Sequence, residues 1–204
     1  MIITRNLFSK YVKGFDFVGL FNYLGWDRSR AKLSDIMVKN QTYHFTNIAQ
    51  KSSFLIVECR GNDGKIPVYS IRSRIDSELR KQVQEHMIIF CDETNKEQVW
   101  LYSYRFNGKI KKAEVAYNTS QDTERLYQRT AGLFFSIDEQ DNITIFDVTQ
   151  RMNSNFAVNT EKVTKKFYDG FKKQHIKFIE FMEGVSESVD REWYASIMLN
   201  RFRL

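Results

Sequence analysis

The apolar positions along the chain change period several times, and each change predicts an element. Phe17, Val18, Leu20, Phe21 and Leu24 recur with helical spacing behind Asp16, a candidate N-cap, and ahead of Gly25, a candidate C′ residue. That predicts a short amphipathic helix, with Trp26 as a packing anchor just beyond it. Two continuous apolar runs, Phe54-Leu55-Ile56-Val57 and Met87-Ile88-Ile89-Phe90, are rich in β-branched and aromatic residues and suit strands buried on both faces. Between them lie a turn-forming loop from Gly61 to Lys65, then Pro67, then Ser70 as a candidate N-cap. Ile71, Ile75, Leu79 and Val83 come next at four-residue steps. Strand, helix, strand is the prediction, and the helix is long enough for a parallel crossover.

Upstream, a strand beginning near Asp35 and returning through Glu58 predicts a hairpin-like pair. Asn47 to Ser53 reads either as a distortion of that pair or as a short helical turn. Downstream, Asn107-Gly108 between two β-rich runs, Gln98 to Arg105 and Ile110 to Tyr117, is a strong hairpin signal. Ser120 to Ser136 has helical spacing, Ile143-Thr144-Ile145-Phe146 reads as a last short strand, and Asp147 as a cap for the segment after it. Past that point only helical patterns remain, one from Thr160 to Gly184 and one from Val189 to Leu204. The expected fold class is α/β: residues 1–150 form a mixed central sheet with flanking helices, and residues 151–204 an all-helical extension. The last helical pattern meets no stop signal, so the polypeptide is expected to continue beyond Leu204.

Composition narrows the class. A chain of 204 residues that is 42% hydrophobic and 15% aromatic can bury one substantial core, and one Pro with nine Gly argues against a low-complexity protein. No apolar run is long enough to cross a bilayer and the first residues lack a secretory signal, so no membrane partner is expected and the cytoplasm is the expected compartment. Cys59 and Cys91 end the two apolar strands and read as small buried hydrophobes, while His44, His86 and His175 show no zinc-ligand spacing. The net charge of +6 is a weak pointer to an anionic partner, and its distribution says more. Cations gather at Arg28 to Lys32, along the Ser70 helix, and at Arg105, Lys109, Lys111 and Lys112. Trp100, Tyr102 and Tyr104 alternate on one strand, a pattern that suits core beneath a covering helix better than a base-stacking platform.

Ligands in open α/β sheets usually bind beyond the carboxyl ends of the strands, which directs attention to Glu58, Arg60 and Asp92. Asp35 followed by Glu58-x-Arg60 resembles the motif of metal-dependent nucleases of the PD-(D/E)XK type, in a restriction-endonuclease-like sheet. Two carboxylates there, Asp35 and Glu58, would hold Mg²⁺ against a phosphodiester, and Arg60 would occupy the lysine position. Arginine is not a conservative replacement for that lysine, because the guanidinium keeps its proton and orients differently. The alternative is a satisfied strand-end carboxylate, Glu58 paired with Arg60 or with an arginine of the Ser70 helix. Lys65, Arg72, Arg74, Lys109, Lys111 and Lys112 are the candidate DNA contacts.

The runs Glu85 to Asp92, Gln98-Val99-Trp100, Phe146 to Thr149, Val163 to His175 and Asp190 to Arg201 together resemble the N-terminal region of type IIG-like restriction-modification enzymes. Those are single polypeptides with a nuclease-like segment, a helical connector, an adenine-specific DNA methyltransferase domain and a target-recognition region. The resemblance implies DNA as partner, with any Mg²⁺-dependent endonuclease chemistry at Asp35, Glu58 and Arg60. It also implies a downstream methyltransferase domain that alone would use S-adenosylmethionine, because neither a methylation motif nor a Gly-rich cofactor loop occurs within these 204 residues. The different reading is a catalytically inactive docking or DNA-positioning module.

Overall fold

The computed structural model describes residues 3–61, 63–136, 138–139 and 143–157, together with scattered helical positions between 170 and 181. One compact unit spans Met1–Val158 and a second spans Asn159–Leu204. The helical patterns expected from Thr160 to Gly184 and from Val189 to Leu204 lie outside the described residues, apart from those scattered positions.

The first unit is mixed α/β. Helices α1 (Arg5–Lys13) and α2 (Phe17–Tyr23) lead into a two-stranded hairpin, β1 (Ile36–Val38) and β2 (Gln41–Tyr43). A five-stranded sheet comes next, β3 (Phe45–Lys51), β4 (Phe54–Arg60), β5 (His86–Cys91), β6 (Glu97–Phe106) and β7 (Lys109–Asn118), in that spatial order. Helix α3 (Tyr69–Gln82) makes the crossover that lets β4 and β5 run parallel; the other pairs are antiparallel. Helices α4 (Glu124–Thr130) and α5 (Ile145–Asn155) close the chain order, so the boundary expected at residue 150 falls inside α5.

Alternation along the strands sorts their side chains into two cores. Phe54, Ile56, Met87, Ile89, Trp100, Tyr102 and Val115 face α1, α2, α4 and α5, and the aromatic stripe of β6 is core, as its spacing suggests. Leu55, Val57, Ile88, Phe90 and Leu101 face α3 and the β1–β2 hairpin, which contribute Ile75, Leu79, Ile36, Val38 and Tyr43. Cys59 belongs to the second core and Cys91 to the first, so the two buried thiols lie on opposite sides of the sheet. Burial pushes the Cys59 thiol up to about 12 and that of Cys91 higher still.

Several local expectations meet their physical reasons. The Asp16 carboxylate accepts from the Gly19 N–H at 2.8 Å, capping α2 as its sequence implies. Gly25 comes just after that helix with φ +80°, packed so closely on Phe135 that an added Cβ would overlap the Phe135 carbonyl oxygen. Gly25→Ala is therefore expected to destabilise the fold by about 1–3 kcal/mol, read by urea denaturation. Asn107 and Gly108 both take positive φ in the β6–β7 turn.

Three expectations are corrected and one open choice is decided. The strand from Asp35 does not pair with β4: it closes on β2 through Lys39 and Asn40, both at positive φ, and β3 is the strand beside β4. Residues 47–51, whose sequence allows either a distortion or a helical turn, are strand with a register shift between Asn47 and Ala49. Ile143 to Phe146 is not a strand, because Thr144 and Asp147 form a reciprocal capping box that starts α5. Helix α3 begins at Tyr69 behind Val68, with Ser70 inside it.

Candidate functional site

At the carboxyl ends of β4 and β5 the chain closes on itself. Glu58 points to the same side of the sheet as Phe54 and Ile56, its side chain only 12% exposed, and its carboxylate meets the Arg60 Nε at 2.7 Å. Arg60 also donates through Nη1 to the Asp92 carbonyl at 3.0 Å and to the Asn95 Oδ1 at 2.9 Å. The Asp92 carboxylate accepts from the Thr94 hydroxyl and from the Lys96 and Glu97 N–H groups. Burial alone would raise the Asp92 carboxyl, but these donors outweigh it and hold it below the usual carboxylate range. The strand ends are thus a tied knot: Arg60 staples β4 to the loop after β5, and Asp92 organises that loop.

Asp35 sits elsewhere. It precedes β1, in the hairpin that packs against α3, and its carboxylate pairs with the His44 Nδ1 at 2.9 Å. Across from Glu58 on the neighbouring strand stands Thr46. The donor set does not suit the divalent cation that the nuclease resemblance implies. A guanidinium already lies 2.7 Å from Glu58, the residue opposite it is a hydroxyl, and Asp35 belongs to a hairpin on the other side of the sheet. Among the described residues no group of three or more His, Cys, Asp or Glu is placed to hold a metal ion.

The candidate DNA contacts divide sharply. Arg72 forks onto Glu114 at 3.1 and 2.8 Å and donates to the Pro67 carbonyl. Lys112 donates to Ser73 and meets Asp76 at 2.9 Å. Both join α3 to the far edge of the sheet and are spent on the fold. Lys65, Arg74, Lys109 and Lys111 remain exposed. Arg74 lines a shallow cleft with Met37, Lys39 and Glu78 beside β1. Lys109 and Lys111 lie on the β6–β7 hairpin, at the opposite end of the sheet from Glu58.

A polar cluster that sequence reasoning misses lies beneath α3. Asp76 is fully buried and accepts from the His86 Nε2 at 3.2 Å, the Ser103 hydroxyl at 2.9 Å and the Lys112 ammonium at 2.9 Å, with the Arg80 guanidinium 3.7 Å away. The other ring nitrogen of His86 faces the Val83 carbonyl at 2.8 Å. Burial opposes ionisation of Asp76, but hydrogen bonds with His86 and Lys112 prevail and hold its carboxyl at about 2. The available signal was a lone acidic residue flanked by Ile75 and Leu79 on the buried side of a helix. A cavity of about 670 Å³ lies at the amino ends of β4 and β5, lined in part by Leu55, Gln84, Glu85, Ile145, Phe146 and Thr149. It shares no residue with the Glu58 knot.

No protein-family model, no curated protein and no solved structure matches the chain. The first unit is a mixed α/β fold in which β4 ends in Glu58-Cys59-Arg60. Among the described residues no helix is long and apolar enough to cross a membrane.

Proposed function

We propose that the first unit is a restriction-endonuclease-like module that engages DNA without cutting it, in a restriction-modification polypeptide whose other part carries the adenine methyltransferase. The observation that carries this reading is the arginine where such a nuclease has lysine: Arg60 neutralises Glu58 and staples the loop after β5. The order of β4, α3 and parallel β5 suits the nuclease-like framework, and the net charge of +6 suits a polyanion. Hydrolysis by Asp35 and Glu58 with Mg²⁺ is disfavoured by the donor set, with Arg60 on Glu58 and Asp35 in a separate hairpin.

Two measurements on the 204-residue chain test it. Fluorescence anisotropy with duplex DNA is expected to show affinity that falls with salt, with a log–log slope of about −2 to −4 from the exposed cations. Salt-insensitive or absent binding leaves a protein-docking module instead. A plasmid-nicking assay with Mg²⁺ or Mn²⁺ is expected to show no cleavage above the Glu58→Ala background. Metal-dependent nicking abolished by Glu58→Ala overturns the non-hydrolytic reading.

A further inference from the structure

Strands β6 and β7 outrun the rest of the sheet. Pairing with β5 stops at Met87↔Tyr102, whereas β6 and β7 go on pairing with each other to Phe106↔Lys109. Four further residues at roughly 3.3 Å each carry the ribbon about 13 Å past its neighbour. From Tyr104 to Lys111 this ribbon has no acidic residue, and Arg105, Lys109 and Lys111 are all exposed on it. Two large apolar side chains share the tip, Phe106 at 50% exposure and Ile110 at 48%. The pairing Arg105↔Ile110 and Phe106↔Lys109 sets Phe106 and Lys109 on one face and Ile110 and Arg105 on the other. Lys111, opposite Tyr104, falls on the Phe106 face too, so Phe106 stands beside two cations and Ile110 beside one. The Lys111 ammonium lies 4.1 Å from the centre of the Phe106 ring, so the aromatic face is already a cation platform.

We propose that this tip is a nucleic-acid wedge: the ribbon enters a groove of duplex DNA, Phe106 and Ile110 press on the base stack, and Arg105, Lys109 and Lys111 hold the flanking phosphates. β-Ribbons dock in either groove of a duplex, and apolar wedges inserted beside basic residues from the minor groove unstack base steps. The distribution of apolar groups favours this occupant over a lipid surface. An amphipathic element lying on a membrane gathers its apolar side chains on one face, whereas Phe106 and Ile110 lie on opposite faces of this ribbon. The short positive turn at Asn107-Gly108 keeps the end narrow, with nothing within 4 Å of where a Gly108 Cβ would stand. The wedge rests on the DNA-engaging reading and adds where the duplex is touched and how.

The test uses the full chain and duplexes carrying 2-aminopurine, whose fluorescence rises on unstacking. Wild type is expected to raise that signal. Phe106→Ala with Ile110→Ala is expected to abolish the rise and weaken binding about tenfold, with the salt slope unchanged. Lys109→Ala with Lys111→Ala is expected to lower the slope by about 2. All four side chains are exposed, and an unaltered thermal melt confirms that the fold is intact. Binding by wild type with no change in 2-aminopurine signal, or with no loss in the Phe106/Ile110 variant, overturns the wedge and leaves the DNA reading standing. Absence of any DNA binding by wild type removes that reading and the wedge with it. Binding to phosphatidylserine vesicles that depends on Phe106 and Ile110, without DNA unstacking, overturns the wedge and reassigns the tip to membranes.

Discussion

Asp76→Ala is expected to destabilise the protein by about 3–5 kcal/mol, measured as a fall in the urea midpoint with little change in slope. The carboxylate is fully buried; it is the shared acceptor for His86 of β5, Ser103 of β6 and Lys112 of β7, and the Arg80 guanidinium of α3 stands 3.7 Å away. Removing it leaves the Lys112 ammonium and Arg80 guanidinium, both largely buried, without their counter-charge, which is the expensive way to break an interior ion cluster. The same residue ties stability to acid. Its carboxyl is held at about 2 when folded, against about 3.9 in an unfolded chain. A depressed folded value means that the contribution is complete above about pH 4 and disappears as pH falls through about 2, an effect of about 2 kcal/mol. Asp76→Asn keeps the shape and removes the charge, so its stability should lack that acid-dependent limb. An Asp76→Asn variant whose stability falls between pH 4 and pH 2 as steeply as wild type's would show that the charge of Asp76 is not what matters.

What the sequence made readable was mostly local chemistry. The Asp16 cap, the Gly25 bend and the Asn107-Gly108 turn each declare themselves within a few residues, and the two apolar runs need no partner to be read as buried strands. Strand β3 was hard to read for the opposite reason. Its residues Thr46, Asn47, Gln50 and Lys51 are polar, its alternation breaks at the Asn47/Ala49 shift, and only β4 beside it makes it a strand. Ile143 to Phe146 has strand composition, yet the Thr144–Asp147 capping box overrides it, and that spacing was visible. For the site, the Glu58–Arg60 pair was legible as one of two alternatives because residues two apart on a strand share a face. The isolation of Asp35 was not legible, because it depends on the Lys39-Asn40 turn sending β1 back onto β2. Nor could spacing reveal that Arg72 and Lys112 meet partners 42 and 39 residues away.

Trp26→Ala is expected to cost about 4–5 kcal/mol, near the upper end for a buried aromatic truncation. Its indole sits at the meeting point of segments distant in sequence. Phe21 of α2, Phe54 of β4 and Phe135 after α4 approach it nearly edge-on at 5.6, 5.8 and 5.5 Å between ring centres. Edge-to-face packing of this kind adds to the area buried. The indole N–H donates to the Leu133 carbonyl at 2.9 Å, so truncation also leaves a buried acceptor unsatisfied. Neighbouring groups limit how far the site can collapse. Asp27 and Gln50 exchange backbone hydrogen bonds at 2.9 and 2.8 Å, and the buried Lys51 ammonium donates to the Gly25 carbonyl at 2.9 Å. The backbone on both sides of Trp26 is therefore pinned to β3, and the cavity stays open. Trp26→Phe separates the two contributions: it keeps most of the ring packing and loses the hydrogen bond, so about 1–2 kcal/mol is expected. Equal losses for Phe and Ala in urea denaturation would mean that the Leu133 hydrogen bond, rather than the ring cluster, fixes how the helical face packs onto β4.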